Sequence, residues 1–151
     1  INEGALEFAM GFGATHAINP NQQDLIQRTK DITDGLGVDY AFEVFGSAKT
    51  VKSTFDIVRK GGTAVIVGLA PVNEMAGIDV VSLVRQEKTL KGSYYGSTRP
   101  SIDMPKMIEM YRSGKINIDD LITREYSLDD INEAYSDLEH GEIGRGVITT
   151  F

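Results

Sequence analysis

The sequence predicts an α/β protein with a doubly wound parallel sheet, and three consecutive segments carry that prediction. Residues 38–45 (VDYAFEVF) are rich in β-branched and aromatic side chains, as strands are. Gly46-Ser47 follows as a turn and helix N-cap. Val51, Thr54, Phe55 and Val58 then recur at i, i+3, i+4 and i+7, one face of a helix, with Lys60-Gly61-Gly62 as its stop. Residues 63–69 (TAVIVGL) are almost continuously apolar, the pattern of a central parallel strand buried on both faces. Strand, helix and strand at this spacing form a βαβ unit with a right-handed crossover.

The flanking elements follow in order. Residues 3–12 read as a helix with Leu6 and Met10 on its apolar side, Phe8 close to it, and Gly13 as the stop. Residues 15–19 read as a short extended run ended by Pro20, which fixes its own φ and restricts its predecessor. A polar-faced helix over 22–33 closes at Asp34-Gly35-Leu36-Gly37. After Pro71 comes an apolar stretch at 78–84, then a strand over 89–95 (TLKGSYY) before Gly96. A helix from about Ile102 to Ser113 is expected to bury Met104, Met107, Ile108 and Tyr111, ending at Gly114. Ser127-Leu128-Asp129-Asp130 fits a capping box for a last helix whose face is Leu128, Ile131, Tyr135 and Leu138, with Gly141 as its stop. Residues 147–150 form a closing strand, and the chain from Gly96 onward reads as a different region from the sheet.

Composition narrows the function. Apolar residues make up 41% of the 151 residues and charged residues 25%, as in a globular chain that folds. Fifteen Lys and Arg against 22 Asp and Glu give a net charge of −7, which argues against a broad phosphate-binding face and against nucleic acid as a partner. Without Cys there is no disulfide or thiolate zinc site, and two His do not complete a typical four-ligand zinc site. No apolar run reaches the roughly 18–20 residues of a membrane span, and the first residues lack a signal-peptide pattern, so a cytoplasmic location is the default. Ile1 runs directly into helix-like sequence, from which a fragment beginning in mid-fold is expected.

Four motifs carry possible chemistry. Glu43-Val44-Phe45-Gly46 and Val67-Gly68-Leu69 both stand at the carboxyl ends of predicted parallel strands, where open α/β sheets bind ligands. Each has a plain alternative: Gly46 equally serves as a turn into a helix, and an apolar strand after Lys-Gly-Gly recurs in many doubly wound folds. In Lys91-Gly92-Ser93-Tyr94-Tyr95-Gly96, alternation along a strand favours one tyrosine in the core and one at the surface, unless the segment lies beside the other two strand ends. Arg145 could fork to a phosphate, but a lone arginine is usually just solvated. His16 and His140 have no Ser or Cys partner at a recognisable spacing, and the pairs Asp119-Asp120 and Asp129-Asp130 are better explained as helix caps than as paired acid and base.

Taken in order, the blocks FGATHAINP, GVDYAFEVFGS, DIVRKGGTAVIVGLAP, KTLKGSYYGS, SGKINIDDLIT and SLDDINEAYSDLEHGEIGRGVI closely resemble the medium-chain, zinc-dependent alcohol dehydrogenases across essentially all 151 residues. The similarity is greatest to the branch that contains the thiol-dependent formaldehyde dehydrogenases. The resemblance implies a truncated Rossmann-type sheet over residues 1–95 and, over 96–151, a C-terminal α/β tail that returns to a catalytic domain absent from this chain. It further implies that the glycine fingerprint for the pyrophosphate, the ribose-binding acid and the zinc ligands lie upstream of Ile1. Zinc would thus serve the whole enzyme without being bound by this chain, and the isolated chain would be inactive.

By the same resemblance the cofactor is NAD, with NADP not excluded, and the substrate of the whole enzyme is a small alcohol or aldehyde. Ile1, Pro20 and Phe45 would wall the adenine pocket, with Thr50 near it and Val44 beside Phe45 in the same set. Backbone groups of Val67, Ser93 and Tyr95 would hold the nicotinamide carboxamide, while Gly68 and Leu69 leave room for the ring and its ribose. Arg145 would pair with the pyrophosphate. Ala5 and Ser47 depart from the pattern, because many members carry Lys at the first position and some carry Arg at the second. Residues 78–95 would include the edge at which family members dimerise, so a homodimer or tetramer is expected. Alternatives are a zinc-free quinone or enoyl reductase of the same superfamily, a methyltransferase, and a nonenzymatic nucleotide-binding or dimerisation module.

Overall fold

The computed structural model describes residues 2–151, so Ile1 lies outside the described residues. The chain divides into two compact units, one over Pro20–Thr98 and the other over residues 1–19 together with 99–151.

In the first unit, α2 (Leu25–Ile32) starts at Asp24, whose carboxylate accepts the Gln27 amide at 2.8 Å. The three strands β1 (Val38–Glu43), β2 (Val58–Ile66) and β3 (Thr89–Gly92) lie in the order β1-β2-β3, all parallel, with β2 in the centre. Between β1 and β2 runs α3 (Ala48–Ile57), and α4 (Val80–Arg85) precedes β3. Parallel neighbours require crossovers, and α3 and α4 lie in those connections. The core of the unit is Phe55, 1% exposed, packed with Ala41, Val58 and Ala64, and flanked by Val38, Ile57, Ile78 and Leu83. On β1, Ala41 and Glu43 point inward while Tyr40 and Phe42 remain exposed, so this strand alternates.

Several boundaries differ from those the sequence predicts: β1 ends at Glu43 and not at Phe45, Val58 opens β2 and does not close the helix face, and β2 ends at Ile66 and not at Leu69. The Lys60-Gly61-Gly62 run lies inside β2 and does not stop a helix: β2 begins at Val58, and the extra residues are taken up where its register against β1 shifts between Val38 and Tyr40. The β3 ladder ends at Gly92, short of the tyrosines, because Tyr95 takes a left-handed φ of 51° that opens a 3₁₀ turn over Tyr95–Ser97.

The second unit contains α1 (Glu3–Gly11), α5 (Pro100–Arg112), β4 (Ile122–Ser127), α6 (Ile131–His140) and β5 (Arg145–Thr150). Strands β4 and β5 pair in parallel as a two-stranded sheet, and β4 is a strand that the sequence reading lacks. Residues 15–19 form no strand, having no ladder partner among the described residues. The capping box is present: Asp130 accepts from both the amide and the hydroxyl of Ser127.

The burial expected on α5 is not found, and the apolar face of α6 is open as well. Met104, Met107, Ile108 and Tyr111 are all exposed, as are Leu128, Tyr135 and Leu138, while Ile131 is half-buried. The periodicity correctly marks apolar faces, but α5 packs extensively against no other element among the described residues and α6 is covered only lightly by β4 and β5. No helix among the described residues is long and apolar enough to cross a membrane.

Candidate functional site at the carboxyl ends of the parallel strands

The ladder register aligns the ends of all three strands. Glu43 stands opposite Ile66, and Ile66 opposite Gly92, so residues 44–46, 67–69 and 93–95 leave the sheet at the same edge. Eight of the sequence-expected residues thus follow this rim or its helix: Val44, Phe45, Val67, Gly68, Leu69, Ser93, Tyr95 and, in the first turn of α3, Thr50. Tyr94 and Tyr95 are both exposed, with rings meeting edge to face at 4.7 Å between centroids, so alternation between core and surface does not hold there. The Ser93 amide donates to the Ile66 carbonyl at 2.8 Å, extending the β2–β3 connection one residue beyond the ladder. Pro20 is exposed at the start of the same unit, and Ile1 lies outside the described residues.

The loops after β1 and β2 interlock through their backbones. A Cβ on Gly46, whose φ is +93°, would stand 2.4 Å from the Leu69 carbonyl oxygen, and one on Gly68 would stand 2.3 Å from the Gly46 nitrogen. Any side chain at either position collides with main chain, so both glycines are dictated by close approach. Around this seam the apolar residues point outward: Phe45 is 79% exposed, and Val44, Leu69 and Tyr95 are similarly open. The rim combines small backbone-lined contacts with flat or branched apolar surface, which suits a ligand bearing rings.

Below the seam sits Glu43, only 2% exposed. Its Oε1 accepts from the Phe45 amide at 2.9 Å, the Gly46 amide at 2.8 Å and the Thr50 hydroxyl at 2.7 Å. Its main-chain carbonyl accepts from the Val67 and Gly68 amides. Burial pushes the carboxyl upward, but the Gly46 amide, the Thr50 hydroxyl and the amides of Phe45 and Gly68 outweigh it, and the group is held below the ordinary glutamate value. Thr50 also closes the N-terminus of α3, where Ser47 accepts the Thr50 amide and Thr50 Oγ1 accepts the Ser47 amide. Glu74 adds a second carboxylate there, accepting the Ala48 amide at 2.5 Å.

Glu43 was legible as part of a motif but not as its anchor. Its signal is parity: on an alternating strand it shares the inward face with Ala41, where a charge is uncommon unless paired. Arg145 belongs to the other unit, where it opens β5, is exposed, and donates from Nη1 to the Gly144 carbonyl at 2.7 Å. It lines a hollow of about 450 Å³ with Arg124, Tyr126, Ile131, Leu138 and Ile148. No group of three or more His, Cys, Asp or Glu residues is placed to hold a metal ion among the described residues.

Residues 1–113 match the model of the zinc-binding dehydrogenase family. Among curated proteins, the chain is 35% identical over 145 residues to an NDMA-dependent alcohol dehydrogenase from Amycolatopsis methanolica, covering 94% of this chain and 39% of that protein. It is 33% identical over 155 residues to an S-(hydroxymethyl)glutathione dehydrogenase from Paracoccus denitrificans, covering 98% of this chain and 41% of the relative. Among solved structures, benzyl alcohol dehydrogenase from Acinetobacter calcoaceticus superimposes with a TM-score of 0.92 at 34% identity, over 99% of this chain and 41% of that one. The chain therefore spans about 40% of the length of these relatives. By its family match and its parallel α/β sheet, this chain belongs to the zinc-binding dehydrogenases, a family of oxidoreductases that includes alcohol dehydrogenases.

Proposed function

We propose that this chain is the dinucleotide-binding portion, residues 1–95, and the C-terminal tail, residues 96–151, of an alcohol dehydrogenase that moves hydride between a small alcohol or aldehyde and NAD. The observation that carries the reading is the Gly46–Gly68 seam, where two backbones meet at a distance no Cβ permits and apolar side chains stand open around it. A nicotinamide dinucleotide needs such a surface: flat apolar contacts for its rings, and backbone donors and acceptors near its amide.

On this reading Pro20, Val44 and Phe45 face the adenine end with Thr50 near them, and Ile1 completes that wall. Val67, Ser93 and Tyr95 offer backbone groups to the nicotinamide end, while Gly68 and Leu69 leave space for the ring and ribose. Arg145 is assigned to the pyrophosphate, whose charge suits a guanidinium fork. When bound, the nicotinamide supplies the hydride-accepting carbon, and the residues here hold and orient it. NADP is the second candidate cofactor. Zinc enters the proposal only as a group held outside these 151 residues. A cytoplasmic location and a homodimer or tetramer complete the reading, and the isolated chain is expected to be inactive.

Titration of NADH and NADPH into the natural polypeptide that carries these residues tests the proposal. Saturable binding that weakens when Arg145 is replaced by Ala supports it, and no binding of either dinucleotide refutes it. A 151-residue chain that oxidised alcohols at the rate of a whole dehydrogenase would refute the expected inactivity.

A further inference from the structure

One residue bonds to both loops of the seam, by its side chain to one and by its backbone to the other. Through Oε1 Glu43 gathers the amides of Phe45 and Gly46 and the hydroxyl of Thr50, and through its own carbonyl it gathers the amides of Val67 and Gly68. Its Oε2 is buried with no hydrogen-bond partner among the described residues, 2.6 Å from where a Gly68 Cβ would stand. The groups bonded to Oε1 all donate, so the site calls for an acceptor with negative charge, and charge-assisted bonds of this kind are about twice as strong as neutral ones. Glutamine would have to place an NH₂ where Oε2 now lies, in a buried position against the Gly68 backbone.

We propose that Glu43 is a positioning residue for the dinucleotide: its buried carboxylate fixes the loop after β1 to the start of α3, while its main-chain carbonyl holds the loop after β2, so that Phe45 and Val67 keep their ligand-receiving shape before the ligand arrives. This rests on the cofactor reading above. Glu43 touches no ligand and acts through the backbone at Phe45, Gly46, Val67 and Gly68. Preorganisation of this kind raises affinity by removing the cost of ordering the loops on binding.

The test is E43Q in the natural polypeptide, read by NADH affinity, by the split between KM and kcat, and by amide hydrogen exchange resolved to residues. E43Q is expected to weaken NADH about tenfold, raising KM more than it lowers kcat, because three charge-assisted bonds become neutral or are lost. Exchange should quicken at Phe45 and Gly46 while Ala64 and Val65 in the middle of β2 keep their rates. A lower melting temperature with unchanged NADH affinity and unchanged exchange at Phe45 and Gly46 would reduce Glu43 to a structural residue and overturn the proposal. Should E43Q fail to fold, T50V removes one of the three donors, and unchanged exchange at Phe45 and Gly46 in that variant overturns it instead. Failure of the wild-type protein to bind NADH or NADPH overturns the function proposed above, whereas binding that E43Q leaves unaltered overturns only the positioning role.

Discussion

The two units hold themselves together by different means. The Pro20–Thr98 unit has a parallel sheet whose central strand is flanked on both sides, with Phe55 sealed beneath it and a buried carboxylate closing its end. The other unit has a two-stranded sheet and exposed helix faces, with the buried Tyr126 beside an ion-pair cluster in which Arg124 pairs with both Asp137 and Glu133 while the Tyr126 hydroxyl donates to Asp137. The first unit therefore has the larger buried core, and the second combines the buried Tyr126 with charge that is largely exposed. Burial fixes shape to within a methyl group, whereas exposed ion pairs are worth little individually and weaken with salt.

The strongest way to break this contrast is Phe55→Ala, which opens a cavity under β2 and is expected to cost about 3–5 kcal/mol in urea or thermal unfolding. A cost near that of a surface substitution would show that the sheet unit has no true core. Next is Gly46→Ala. The left-handed backbone alone is expected to cost about 1–3 kcal/mol, before the collision with Leu69 is counted, and dinucleotide titration should show binding abolished.

A subtler handle is acid. The folded-state pKa of Glu43 is depressed, so the unfolded chain takes up the proton first as the pH falls. The stabilisation from its carboxylate is fully present above the unfolded value of about 4.3 and is lost as the pH falls through that value toward the folded one. Denaturant midpoints of wild type and E43Q should therefore differ most near neutrality and converge in acid. The smallest effect belongs to the tail: Arg124→Ala should shift the melting temperature less than any of these, and the shift should vanish in about 1 M salt, where screening reaches a few ångströms. An Arg124→Ala shift that persists in high salt would show that the tail is held by more than exposed charge.

Much of this was legible in the sequence. The largely apolar run 63–66 in β2, the helix face at Val51, Thr54 and Phe55, and the Ser127 capping box all depend on local periodicity or chemistry and occur where expected, whereas Val58 opens β2 and residues 67–69 leave the sheet. What escaped depends on pairing at a distance. Strand β4 is stabilised by β5 some 20 residues later, and its residues, ITREYS, carry no clean alternation of their own. The apolar faces of α5 and α6 lie where periodicity places them, but that of α5 is exposed and not buried, because periodicity describes a helix but not the element that covers it. At the rim, the glycines were visible, but the carboxylate beneath them gained its role only once β1, α3 and the loop after β2 were brought together.

The contact between Gly46 and Gly68 also limits how this rim can diversify. Neither position can accept a side chain, so neither can be varied to reshape the rim. Selectivity has to be set by neighbours that are free to vary, above all Phe45 and Leu69, whose side chains stand open at the rim, and Ser47 at the helix entry. A set of variants confined to those three positions would alter ligand preference while leaving the seam, and with it the geometry of the strand ends, untouched.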